Sequence, residues 1–442
     1  MTLRGRVLLG ILAGALLRAI LLPLPGTGDV LIWKVWSANA ATDLTGVYGV
    51  GGVPPERRVL HWHSEDMTVD YPPLALDELA IAGRAYLIIS PAFDDTRWLN
   101  VFVKLPGLAA EIALLVLLLT WGRRLFGRDE ATWTALALWL NPLVLLDGAA
   151  LGYLDAPMAV PLVLAVMTAW TGRAALTGLL VAAAILTKAQ AVFAVPAIAM
   201  ILYWRTERVR ALAASTAAGA AVSAALLLPF IVRGAWTNLV QALGRLATHD
   251  MLSAQAANIW WIFTWVLRVI DVWTEWGGWR AMTQEVRILA ISRADALGYP
   301  NARVVGLMLV ILAISWACWR VRRNVTLAQA AAITGWCAYA YAMLAAQVHE
   351  NHWYAAVPLF GLAAGANRRY RTVFWAVTAV AALNLYLFYG LGDGWPPITS
   401  RAWTGIDMTV VLSVVNVGVF AYAGRLIAVE RRALTRLRDA SA

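Results

Sequence analysis

Pro25-Gly-Thr-Gly-Asp-Val-Leu-Ile-Trp-Lys-Val-Trp36 follows the first apolar run of the chain and sets one carboxylate, Asp29, where a helix has just ended. The run before it, about 6–24, opens on Arg4 and Arg6 like a signal peptide. No small-residue cleavage site follows, and the run is long enough to cross a bilayer, so it reads as an uncleaved first helix. Asp29 then has two readings. One is the N-cap of a short helix over Val30–Trp36. The other is a general base at a lipid–water boundary, taking a proton from a hydroxyl. The two are compatible, because a cap would also fix the carboxylate in place.

Composition limits what surrounds this stretch. Of 442 residues 61% are hydrophobic and 14% charged, too little charge to cover a soluble domain. Apolar runs of about 18 to 22 residues recur, the length a bilayer requires. The net charge of +10 does not indicate a nucleic-acid partner. The arginines sit in short clusters between apolar runs, the pattern of cytoplasmic loops. Cys318 and Cys337 both fall inside expected spans, so no disulfide framework is implied.

Those clusters fix an inner side: Arg4/Arg6, Arg123/Arg124/Arg128, Arg173, Arg205/Arg208/Arg210, Arg320/Arg322/Arg323, Arg368/Arg369/Arg371 and Arg425 to Arg438. Between them the pattern predicts spans near 6–24, 100–121, 131–148, 155–171, 174–187, 189–204, 211–232, 303–320, 325–346, 353–366, 372–390 and 408–427. The expected fold is thus an all-α polytopic membrane protein of about twelve helices (11–13), one unit over 1–442, with both termini cytoplasmic. Two outer segments are long. The first, 25–99, contains Tyr71-Pro-Pro-Leu74, a step that no helix interior accepts. An amphipathic helix over 74–90 follows it, with Asp77 and Arg84 on one face, expected to lie along the interface. The second, about 233–302, is rich in headgroup-level tryptophans: Trp236, Trp260, Trp261, Trp265, Trp273, Trp276 and Trp279.

This topology places Asp29, Asp70, Asp155, Lys188, Asn258, His349, Glu350 and His352 on the outer side, along with all five histidines. Arg18, deep in the first span, needs a partner inside the bundle, and Glu111 is the candidate. Asp70 before Tyr71 reads equally as a turn residue. Asp147 and Asp155 read as helix caps or as ligands for sugar hydroxyls. The chain has three lysines (34, 104, 188) against thirty-three arginines. Lys188, in an apolar stretch with Gln190 close by, calls for an anion, a phosphate above all, with snorkelling as the alternative. Gln347-Val-His-Glu-Asn-His352 lacks the i, i+4 histidine pair of zinc proteases. Hydrogen bonding of His349 and His352 to phosphate oxygens, with Glu350 holding one of them, fits better than a metal.

Taken in order, these short motifs resemble the GT-C superfamily of membrane glycosyltransferases. The nearest are bacterial polyprenyl-phosphate-mannose-dependent mannosyltransferases and the lipid-linked-oligosaccharide glucosyltransferases. The resemblance rests on Gly28-Asp29 with Trp36; Asp70-Tyr-Pro-Pro-Leu74; Asn141-Pro142 with Gly152-x-x-Asp155; Thr187-Lys-Ala-Gln190; Asn258-Ile-Trp260; and Val348-His-Glu350. It implies a catalytic Asp29. It also implies donor-phosphate contacts from Lys188, Gln190, His349, Glu350 and His352, and sugar or acceptor contacts from Asp70, Tyr71, Asp155, Asn258 and Trp260. Two departures stand out: Lys188-Ala-Gln190 replaces Lys-Pro-Gln, and His349-Glu-Asn-His352 replaces His-Glu-Arg-Tyr. The arginine contact this removes would have to come from elsewhere, with Arg233, Arg245 or His352 as candidates.

The expected chemistry is inverting transfer of one sugar, mannose ahead of glucose and arabinose, from a polyprenyl phosphate to an acceptor hydroxyl. The acceptor, a glycolipid, glycan or protein, lies at the outer face of the cytoplasmic membrane. No cofactor or metal is expected, since one phosphate leaves readily and no acidic pair has ligand spacing. The competing reading is a transporter or flippase of a lipid-linked sugar. Against it, the chain has no internal repeat, and its ionisable residues gather at one face. A lipid-linked glycan polymerase or ligase is a third reading, and it calls for several outer arginines on a pyrophosphate.

Overall fold

The computed structural model describes residues 3–50, 58–245, 248–271, 277–296, 298 and 300–439. Trp273 and Trp276 lie outside them. All twelve apolar runs are helical. Helix α1 (Leu3–Leu21) is followed by α2 (Gly28–Asp43), a small hairpin of β1 (Leu60–Trp62) and β2 (Glu65–Met67), and α3 (Pro73–Leu87). Then come α4 (Arg97–Leu117), α5 (Arg128–Trp139), α6 (Ala156–Trp170), α7 (Ala174–Thr187), α8 (Val195–Thr206) and α9 (Val209–Val232). After the second long segment, with α10 (Trp236–Arg245) and α11 (Ile259–Ile270), run α12 (Ala302–Arg320), α13 (Leu327–Leu344), α14 (Ala356–Ala366), α15 (Arg371–Tyr389) and α16 (Met408–Asp439).

Among the described residues, seven helical stretches are long and apolar enough to cross a membrane. Helices α6, α7 and α14 are shorter, although as apolar. By length and composition the chain is a multi-pass membrane protein. Its innermost layer is α13 and α14, hydrophobic nearly all round and buried, as expected of helices surrounded by other helices. Arg18 and Glu111 form the expected pair across α1 and α4, at 2.7 Å.

One expectation for the first outer segment needs correcting. Asp29 is not an N-cap: the helix starts one residue earlier, runs on to Asp43, and takes extended Thr27 as its cap residue. Its carboxylate lies in the first turn instead. Helix α3 forms where the amphipathic helix was expected, and one of its faces packs on α2. Ser37 Oγ donates to the Leu79 carbonyl at 2.8 Å, and a Cβ at Gly83 would lie 2.6 Å from the Ser37 carbonyl oxygen. Its other side leaves Ile81 exposed. Pro73 sits at the first helical position, where a missing N–H costs nothing, so Tyr71-Pro-Pro delivers Tyr71 to the end of a helix.

Candidate active site

Several contacts pin Asp29. Between α1 and α2 the chain turns at Gly26 (φ +79°), where a Cβ would meet Val30 at 2.4 Å and the Leu151 carbonyl at 2.6 Å. The Thr27 N–H donates to Leu151 O, and the Asp393 N–H donates to Gly26 O. Lys104 completes the frame. Its buried ammonium donates to the carbonyls of Leu24, Ala149 and Ala150 at 2.8, 3.1 and 2.9 Å. The Leu24 carbonyl flanks the turn, and those of Ala149 and Ala150 lie at the C-terminal end of a π-helical stretch, Leu145–Leu151, where the last carbonyls have no partner further along the helix.

Asp29 faces a cavity of about 630 Å³ that is also lined by Asp70, Tyr71, Lys188, Gln190, His349 and His352. His349 is set by a short pairing of chain segments: the Ala254 N–H donates to Val348 O at 2.9 Å, and the Gln347 N–H to Leu252 O. His352 Nδ1 lies 3.2 Å from the Tyr341 hydroxyl, and Tyr341 stacks on Phe193. The Gln190 side-chain nitrogen is buried in the wall without a partner. Phe193, Leu307 and Val310 add an apolar flank.

Lys188 already has a counter-charge. Its ammonium sits 2.8 Å from Asp155 Oδ1, and the Asn351 amide donates to Asp155 Oδ2 at 2.8 Å. Burial disfavours the ammonium, but Asp155 and then Tyr71 outweigh it, so its pKa is raised and the charge is held. Burial raises the Asp29 carboxyl to about 6, with Glu350 adding to the rise and Lys188 and His349 opposing it. Burial lowers His349 to about 4 and His352 further below its ordinary value. Both imidazoles are therefore neutral at pH 7. They offer N–H donors rather than positive charge.

Four residues expected at the ligand are engaged elsewhere. Asp155 is fully buried and absent from the cavity wall; it holds Lys188. Asn258 is the N-cap of α11, accepting from the Trp261 N–H, while its amide donates to Ala342 O. Trp260 packs in the core and donates to Leu344 O at 2.8 Å. Glu350 does not face the phosphate side. Its Oε1 accepts from the Tyr153 hydroxyl at 2.6 Å, and its other oxygen is 3.9 Å from His349. Each of these is a buried polar group that has found a partner, as burial demands. Asp147 neither caps a helix nor meets solvent; it is buried in the π-helical stretch.

Sequence reasoning missed Arg303, His249 and Gln347, which also line the cavity. Arg303 donates to the Thr248 and His249 carbonyls, and its Nε is buried without a hydrogen-bond partner. Of the arginine candidates, Arg233 pairs with exposed Asp43, and Arg245 donates to Val69 O. Arg303 was legible in one respect: an arginine at the outer end of an expected span runs against the charge rule that assigns the arginine clusters inside. Among the described residues no three His, Cys, Asp or Glu side chains gather as a metal site.

Fold and site together define a class: a helical multi-pass protein whose helix ends and loops surround two acids, Asp29 and Asp70, one lysine paired with Asp155, and one arginine with an unpartnered Nε. No family model matches the chain, and no curated protein matches it. It is similar to the crystal structure of an oligosaccharyltransferase from Archaeoglobus fulgidus in the apo form, at 13% identity and a TM-score of 0.44. The match covers 96% of this chain and 55% of that one, so the chain spans about half that protein's length.

Proposed function

We propose that the chain is a membrane glycosyltransferase of the GT-C type. It transfers one sugar, mannose first among the candidates, from a polyprenyl phosphate to an acceptor hydroxyl with inversion, at the outer face of the cytoplasmic membrane. One observation carries this reading: Asp29, Lys188, Arg303, His349 and His352, from distant parts of the chain, wall one cavity that also has an apolar flank. A phosphate needs the cations and N–H donors, a prenyl chain needs the flank, and an attacking hydroxyl needs a base.

In this mechanism Asp29 accepts the acceptor proton as the new C1–O bond forms, and the C1–O bond to phosphate breaks with its electron pair on the departing polyprenyl phosphate. Arg303 and Lys188 stabilise the charge that develops on that phosphate, while His349 and His352 donate N–H bonds. Gln190 offers its unpartnered amide to the same group. Asp70 and Tyr71 flank the donor sugar. No step calls for a metal.

The test is incubation of purified protein, in detergent, with labelled polyprenyl-phosphate mannose, glucose or arabinose and a membrane extract as acceptor. Glycosylated product without a sealed compartment is expected, and Asp29→Asn should abolish it while donor binding survives. A protein that moves the lipid across vesicles yet makes no product in detergent is a carrier, and the proposal fails.

A further inference from the structure

A second cavity, of about 260 Å³, lies on the other side of Asp29. Asp29 and His349 line both, so the two chambers meet at that carboxylate. The chemistry of the second wall is different. Among the described residues no lysine or arginine lines it; its polar lining is Glu350, Thr27, Tyr153, Tyr389 and Gln255, beside Met251, Ala254 and Ile288.

This wall is built rather than incidental. Tyr153 donates to Glu350, and the Tyr389 hydroxyl donates to Gln255 Oε1 at 2.7 Å. The Asn384 amide donates to the Gln255 carbonyl at 3.1 Å. Gln255 has φ +66°, a conformation that a glutamine keeps only when its surroundings hold it there. Thr27 supplies a further observation. It is 5% exposed and lines the cavity, and its buried hydroxyl has no hydrogen-bond partner within the protein. Buried polar atoms are nearly always satisfied, so this one points to a group the cavity receives.

Two carboxylates without a cation repel an anion, and the wall is too polar for a lipid tail. A neutral polyol fits, because each hydroxyl can donate to a carboxylate and accept from a tyrosine, threonine or amide. The volume falls just below the roughly 300 Å³ where pockets for drug-sized ligands begin, the scale of one sugar ring. We propose that this chamber is the acceptor subsite and takes an uncharged sugar ring, one hydroxyl turned toward Asp29. The inference rests on the transferase reading and names its acceptor class. The hydroxyl oxygen attacks the donor C1 and loses its proton to Asp29, and the phosphate leaves with the bonding pair.

Saturation-transfer NMR on the whole protein in nanodiscs, without donor, tests it with methyl α-mannoside, methyl α-glucoside, methyl glucuronide and glucosamine. The neutral glycosides should bind, and the glucuronide at least about tenfold more weakly. Thr27→Val should weaken neutral binding about five- to tenfold. Because its hydroxyl has no partner in the protein, the same change should leave Tm unchanged or raise it. Gln255→Ala should weaken binding further, and Arg303→Gln should leave it alone. Tighter binding of the glucuronide or of glucosamine overturns the proposal. So does neutral binding indifferent to both Thr27→Val and Gln255→Ala, or no binding at all.

Turnover of farnesyl-phosphate mannose separates the two claims. Thr27→Val should raise the acceptor KM and leave the donor KM unchanged. Donor turnover with an unmoved acceptor KM sinks the subsite alone. Glycoside binding without consumption of any donor sinks the transferase reading, and the acceptor role with it.

Discussion

Burial sets Asp29 near pKa 6, and that fixes the direction of its pH dependence. As a base it works ionised, so kcat/KM should fall about tenfold per pH unit below 6 and level off above about 7. His349, lowered to about 4, stays neutral across that window, and Lys188 stays charged. One group then accounts for the limb. Because the folded pKa lies above the ordinary value, the folded protein binds this proton more readily than the unfolded chain. Acidification to pH 5 should therefore slow the enzyme about tenfold without this group unfolding it. A rate that keeps falling from pH 8 to pH 7 would assign the limb to another residue. Lys188 and Asp155 make the complementary case. Removing one member of a buried pair leaves an uncompensated charge, at about 3–5 kcal/mol. Asp155→Asn should lower Tm sharply, and adding Lys188→Met should recover much of the loss while activity stays absent. If the double variant is no more stable than the single, the pair is not what holds these segments.

At the scale of the element, the turn between α1 and α2 decides where the acid points. Gly26 has a positive φ and a carbonyl 2.6 Å from where a Cβ would sit, two separate reasons to exclude any other residue. Gly26→Ala should cost at least about 1–2 kcal/mol through the left-handed backbone alone. The displaced turn should also lower kcat far more than it changes donor binding. Equal losses in kcat and donor affinity would mean that the turn shapes the whole cavity, not the aim of Asp29. The existence of this turn is written locally in Pro23, Pro25 and Gly26, and α3 announces itself by Pro72-Pro73. The start of α2 misleads, since an Asp after a glycine invites an N-cap reading while Thr27 occupies that position. The hold of Lys104 on the turn was not legible. It depends on a π-helical stretch whose unpaired carbonyls come from residues 45 or more positions away.

For the whole molecule, the sequence allowed the helices to be sorted by side, because arginine clusters mark one end of each span independently of tertiary contacts. That sorting is why residues as far apart as Asp29, Lys188 and His349 could be grouped before any coordinates. It cannot tell which polar residues at that end face the cavity and which face one another. Asp155, Asn258 and Trp260 were all assigned to the outer end, yet hydrogen bonds to other segments engage them all. Arg303 and His249 reach the cavity from positions that look like loop and span edge. The same sorting makes a prediction about the molecule in its membrane. With Cys318 and Cys337 replaced by alanine, single cysteines at Ser64 and Trp279 should react with an impermeant maleimide on intact cells. Both positions are exposed in segments assigned outside. Cysteines at Arg208 and Arg369, exposed in arginine clusters, should react only after permeabilisation. Labelling of the second pair alone on intact cells would turn the chain over in the bilayer. The cavity at Asp29 would then face the cytoplasm, where its acceptor would be drawn from a different pool.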